Sequence, residues 1–148
     1  MKINWFVLNG IKPFDKPEEE KTTKIKVGWL NEAKDYYFSL DDMTEEPYRL
    51  TVTGFADCEV ELYQLISTQA HIGRGVTWGE IPQAPDASFY DCLQPFVTQE
   101  EVPTSSYHLF CLRLTGTALG KWQGEIRATQ GNISVLKKYP TLTYLTIN

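Results

Sequence analysis

The segment Tyr48-Arg49-Leu50-Thr51-Val52-Thr53-Gly54 alternates apolar and polar side chains without a break. Only a pleated strand sends consecutive side chains to opposite faces, so this run predicts a strand with one side in a core and the other in water. The same period recurs in Thr23-Lys24-Ile25-Lys26-Val27-Gly28-Trp29, which puts isoleucine, valine and tryptophan on one side and lysines on the other. It recurs again in Trp122-Gln123-Gly124-Glu125-Ile126-Arg127-Ala128. Ile3–Leu8, Tyr36–Leu40, Leu109–Leu114 and Thr141–Ile147 are more continuously aromatic, β-branched and apolar. They read as strands that are central or covered on both sides.

Turn chemistry separates these runs, at Asn9-Gly10, Asn31–Asp35, Asp41–Pro47, Thr115-Gly116 and Gln130-Gly131-Asn132. Asp57–Ile66 fits both periods and is read as a strand, whereas Ile133–Tyr139 is read as one or two helical turns capped by Asn132 and stopped by Pro140. Residues 67–106 are broken by prolines and glycines into a long irregular segment. A structureless stretch that long is unusual in a compact domain, so one or two short strands are expected inside it, around Val76–Trp78 and Phe89–Leu93. Many short strands without a βαβ rhythm predict a single all-β domain over residues 1–148. Its expected architecture is an antiparallel, jelly-roll-like β-sandwich.

With 148 residues, 42% of them hydrophobic, the chain can bury a core without metal or disulfide staples. Its 14 basic and 19 acidic residues give a net charge of −5, which opposes attraction to polyphosphate or anionic lipid. Nucleic acid and membranes are therefore not expected as partners. Ile3–Leu8 is too short for a secretory signal, and no run reaches the roughly 18 apolar residues of a spanning helix, so a soluble, cytoplasmic chain is expected. Cys58, Cys92 and Cys111 make poor arithmetic for a disulfide scaffold and are expected as small buried apolar side chains. Their spacing supports no metal site, and no cofactor is expected.

The order Gly28-Trp29-Leu30, Asp35-Tyr36-Tyr37-Phe38, the alternating strand ending at Gly54, and Asp57-Cys58-Glu59-Val60-Glu61-Leu62-Tyr63 resembles the bacterial pre-peptidase C-terminal domains. Tyr107–Leu114 and Trp122–Ala128 would supply the closing pair, with Gly120-Lys121-Trp122 standing where that family carries Gly-x-Tyr. The resemblance implies a jelly-roll-like sandwich of a kind usually attached to secreted proteases. Some relatives of that fold bind calcium at the N-terminal edge and attach to collagen or other polymers. Asp15, Glu18, Glu19 and Glu20 would then stand at the calcium position, and the same four residues also read as a solvated acidic loop.

Nucleophilic catalysis would need His71 or His108 beside a serine or cysteine. His108 sits inside an expected strand, where an edge or core hydrogen bond is its ordinary role. His71 opens the stretch His71-Ile72-Gly73-Arg74-Gly75-Val76-Thr77-Trp78-Gly79, which lacks the Lys-Ser/Thr of a phosphate loop. Aromatic residues make up 13% of the chain. Trp78, Phe89, Tyr90 and Phe96 fall near expected loops, framed by Pro82, Pro85, Pro95 and Pro103. There they offer either a flat contact surface or a cover packed over one open end of the sandwich.

The sequence thus favours a non-catalytic binding module, with Trp78, Phe89, Tyr90, Phe96, His71 and Arg74 as ligand-binding candidates for a protein or polysaccharide partner. The alternatives are a subunit of a homo-oligomeric or virion-like assembly, an acidic inhibitor or immunity-type protein, and a small hydrolase using a histidine.

Overall fold

The computed structural model describes residues 1–7, 18–19, 26–71, 86–138 and 142–145, and every regular element among them is a strand. In chain order these are β1 (Lys2–Val7), β2 (Glu18–Glu19), β3 (Lys26–Trp29), β4 (Ala33–Asp41), β5 (Tyr48–Gly54) and β6 (Cys58–His71). There follow β7 (Asp86–Pro95), β8 (Leu109–Gly116), β9 (Gly120–Trp122), β10 (Gly124–Gln130), β11 (Ile133–Lys138) and β12 (Leu142–Leu145). No helix among the described residues is long and apolar enough to cross a membrane.

Six strands form one sheet in the order β2-β1-β4-β8-β6-β7, and two three-stranded sheets run β11-β10-β5 and β3-β12-β9. The inward side chains of β1, β4, β8 and β6 and those of β5 and β10 belong to one apolar cluster, so the large sheet and the β11-β10-β5 sheet enclose a common core. Leu50 and Ile126 are fully buried and Val52 packs against the same cluster, as the alternation of their strands requires. At the centre Phe38 stacks on Phe110 at 5.2 Å between ring centroids, and Trp5 meets Phe38 edge-on at 5.8 Å. Phe6, Leu65 and Cys111 fall on the opposite side of the six-stranded sheet by register and are buried too, which accounts for the unbroken apolar character of β1 and β8.

Several expectations are corrected. Ile133–Tyr139 forms no helical turns over its described residues; Ile133–Lys138 is a strand paired to β10 through a two-residue turn at Gly131-Asn132. Gly131 takes φ +57°, so the glycine-first hairpin turn wins and Asn132 is a turn residue rather than a cap. Within 67–106, β6 continues to His71, and the strand expected around Phe89–Leu93 is present as the longer β7. Val76–Trp78 lies outside the described residues. Trp122–Ala128 is not one strand: β9 ends at Trp122 and β10 begins at Gly124, in different sheets. The break falls at Gln123, whose carbonyl accepts the Phe55 N–H at 2.9 Å.

Val27 and Trp29 share a side as predicted, yet it is the solvent side, with 53% and 51% of their surface exposed. Their strand pairs with β12 in parallel, whereas the other strand pairings among the described residues are antiparallel. Of the cysteines, all free, only Cys111 is buried; Cys58 is half-buried and Cys92 exposed.

Burial pushes the phenols of Tyr48 and Tyr37 up to about 12, with Cys111 and Asp35 adding to the effect at Tyr37. The unfolded chain gives up these protons near pH 10 while the folded one still holds them. Stability from this source is complete below pH 10 and lost as pH rises toward 12. The expected result is a thermal midpoint that falls by several degrees across that window. Tyrosinate absorbance should rise together with unfolding, and the fall should be shallower in Tyr48→Phe.

Candidate functional site

Of the residues singled out in the sequence, His71, Phe89 and Tyr90 lie on the strands of one hairpin. Strands β6 and β7 form a hairpin whose register runs from Tyr63 opposite Pro95 to His71 opposite Asp86, with an irregularity between Ile66 and Thr68. Strand β8 pairs with β6 only from Cys58 to Gln64, so beyond that point β6 has β7 as its one strand partner among the described residues. The polar run Ser67-Thr68-Gln69-Ala70-His71 carries no apolar alternation of its own and is extended through this cross-strand pairing.

His71 is the last residue of β6, and Phe89 and Tyr90 lie on β7, with Phe89 opposite Thr68. Arg74 and Trp78 lie outside the described residues, in the stretch that joins the two strands. Phe96, just past β7, is anchored to the sandwich. Its ring stacks on Tyr48 at 5.9 Å and meets Phe110 edge-on at 5.2 Å, while its N–H bonds the Leu62 carbonyl at 2.9 Å. It therefore packs over an end of the core, the second of the two roles expected for these rings, and remains partly exposed.

A separate cluster, for which the sequence held no local signal, ties three strands together on the outer side of the large sheet. Arg113 on β8 donates two hydrogen bonds to the Asp35 carboxylate on β4, at 2.7 and 2.9 Å. The same guanidinium lies 5.4 Å from the ring centre of Tyr63 on β6, and the Tyr63 hydroxyl donates to Glu61 at 2.6 Å. The paired Asp35 raises the Arg113 pKa further, and the hydrogen bond to Glu61 raises that of Tyr63. Both Arg113 and Asp35 keep roughly a third of their side-chain surface in water. As a brace the pair is worth about 1 kcal/mol.

His108 bonds the Ser105 carbonyl oxygen through Nε2 at 2.7 Å, which is a local turn contact. Glu18 and Glu19 form β2 against Val7 and Phe6, and Asp15 and Glu20 lie outside the described residues. Among the described residues no group of three or more His, Cys, Asp or Glu gathers around a common point.

One open hollow sits where β5, β10 and β11 end, with a volume of about 440 Å³, lined by Thr53, Gly54, Gln123, Gly124, Glu125 and Lys138. The facing glycines Gly54 and Gly124 leave backbone where other strand positions carry side chains. Comparison with known proteins finds no family model that matches this chain and no curated protein that matches it.

Proposed function

We propose that this domain is a non-catalytic binding module that captures a partner protein or polymer through the β6–β7 hairpin. The observation that carries the reading is the asymmetry of the six-stranded sheet. Among the described residues one end is β2, two residues long and both glutamate, which is a poor template for further pairing. The other end is β7, ten residues long, free of lysine and arginine, and bearing Phe89 and Tyr90. A long edge strand supplies main-chain donors and acceptors to an incoming strand, and neighbouring aromatic side chains add selectivity. The motif order that resembles the pre-peptidase C-terminal domains is in keeping with this reading, since some relatives of that fold attach to collagen or other polymers.

The test is capture from the native host with the chain as bait, comparing wild type with Trp78→Ala/Tyr90→Ala. The expected result is a defined partner held by wild type and lost by the variant, with both chains melting at the same temperature. Equal capture by the two, or a variant that no longer folds, would overturn the assignment. The same edge suits a second copy of the chain, and sedimentation at micromolar concentration separates the two occupants: a clean monomer counts against self-assembly.

A further inference from the structure

We propose a second binding surface, independent of the hairpin: the outward side of the β11-β10-β5 sheet, taking an extended acidic peptide segment along a diagonal of three cations. The register sets their arrangement. Lys138 on β11 lies opposite Glu125, Arg127 on β10 lies between Leu136 and Thr51, and Arg49 on β5 lies opposite Thr129. Each step from Lys138 to Arg127 to Arg49 moves over one strand and along by two residues, so the three fall on one straight diagonal. Diagonal neighbours of this kind are about 7–8 Å apart. Alternate side chains of an extended peptide repeat every ~6.6 Å, within easy reach of flexible arginine and lysine.

All three cations are exposed. Among the described residues none of them has an ion-pair partner; the pairs that form, Lys2–Asp42, Lys34–Glu32 and Arg113–Asp35, lie elsewhere. Two acids border the diagonal: Glu125, opposite Lys138, accepts a hydrogen bond from Thr53 at 3.3 Å, and Glu101 lies on the segment that bridges to β5 through Val102 and Tyr48; neither forms an ion pair with the three cations. A chain with a net charge of −5 thus keeps three exposed cations outside any ion pair on one side of this sheet.

Charge complementarity calls for an anionic occupant, and one feature favours a peptide over a nucleic acid: among the described residues this side of the sheet carries no aromatic residue on which a base could stack. Leu136, 41% exposed beside Arg127, offers an apolar contact that an alternating acidic peptide can use.

The test is fluorescence anisotropy with a short labelled peptide alternating glutamate and leucine, against a lysine–leucine counterpart and a thymidine oligonucleotide. The acidic peptide is expected to bind at low salt and to release as salt is raised. Arg127→Glu and Lys138→Glu should each weaken it about tenfold or more. Lys121→Glu, the same charge change on β9 in another sheet, should leave it unaltered, and so should Trp78→Ala/Tyr90→Ala. If Arg127→Glu lowers the melting temperature, Arg127→Gln gives the reading instead. Absence of binding by wild type, an equal loss in Lys121→Glu, or tighter binding of the oligonucleotide would each overturn the proposal.

Discussion

Replacing Gly124 with alanine is expected to lower stability by about 3 kcal/mol, seen as a urea midpoint that drops with little change in slope. A Cβ at that position would lie 2.6 Å from Phe55 Cζ and closer still to two other ring carbons. The ring has nowhere to go. Phe55 is 2% exposed, its backbone already holds φ +53°, and its N–H is committed to the Gln123 carbonyl. A bulky residue in that left-handed region is strained, and it persists because the surrounding packing and hydrogen bonding over-determine it. Gly131→Ala is the informative comparison: its φ of +57° disfavours alanine, but the new methyl would meet only the side chain of exposed Glu46. That change should cost about 1 kcal/mol. If Gly124→Ala proves equally mild, the corner joining β5 to β10 is looser than its geometry implies. Combining it with Phe55→Ala should yield less than the sum of the two single losses.

Gln130→Leu is expected to cost about 2–3 kcal/mol although it exchanges a polar side chain for an apolar one of similar size in a buried position. Gln130 is 2% exposed, and its amide oxygen accepts the Thr44 N–H at 3.0 Å. Its Nε2 donates to the carbonyls of Thr44 at 3.0 Å and Glu46 at 2.6 Å. One side chain at the end of β10 thus satisfies three backbone groups of the β4–β5 connection, and leucine would leave all three without that partner. Hydrogen exchange should report the difference locally, with the Thr44 amide losing protection before the amides of β5 do. Uniform loss across the domain would mean that the loop and the sandwich unfold as one unit.

These two sites mark the boundary of what the sequence makes legible. The period of two names the side chains that share a surface, and for Leu50, Ile126 and Ala128 the apolar set is also the buried one, with Val52 partly buried against it. The same period in Val27 and Trp29 names the shared side correctly and its orientation wrongly, because which side faces the core depends on the sheet the strand joins. Ile133–Lys138 has no period of two, and only the turn at Gly131-Asn132 betrays the hairpin. The extension of β6 through Ser67–His71 and the whole of the Asp35–Arg113–Tyr63 brace depend on partners distant along the chain. The cation diagonal is similarly invisible: Arg49 and Arg127 stand alone in their own segments, Lys138 follows Lys137, and the three meet only through the register of three strands. Of the candidate binding residues, His71, Phe89 and Tyr90 are gathered by the hairpin, whereas Phe96 belongs to the packed end of the core.

The parallel pairing of β3 with β12 carries a consequence for how the molecule is made. Residues 26–29 have to wait for residues 142–145 before this ladder can form, and no local turn can join two strands that run in the same direction. During synthesis on the ribosome, then, β1 can pair with β4 and β6 with β7 while β3 still waits for β12. Closure of this ladder should be among the last and slowest folding steps, since the intervening chain must be spanned before any contact rewards it. A nascent chain stalled short of residue 142 is the species in which a chaperone would find an exposed strand to hold.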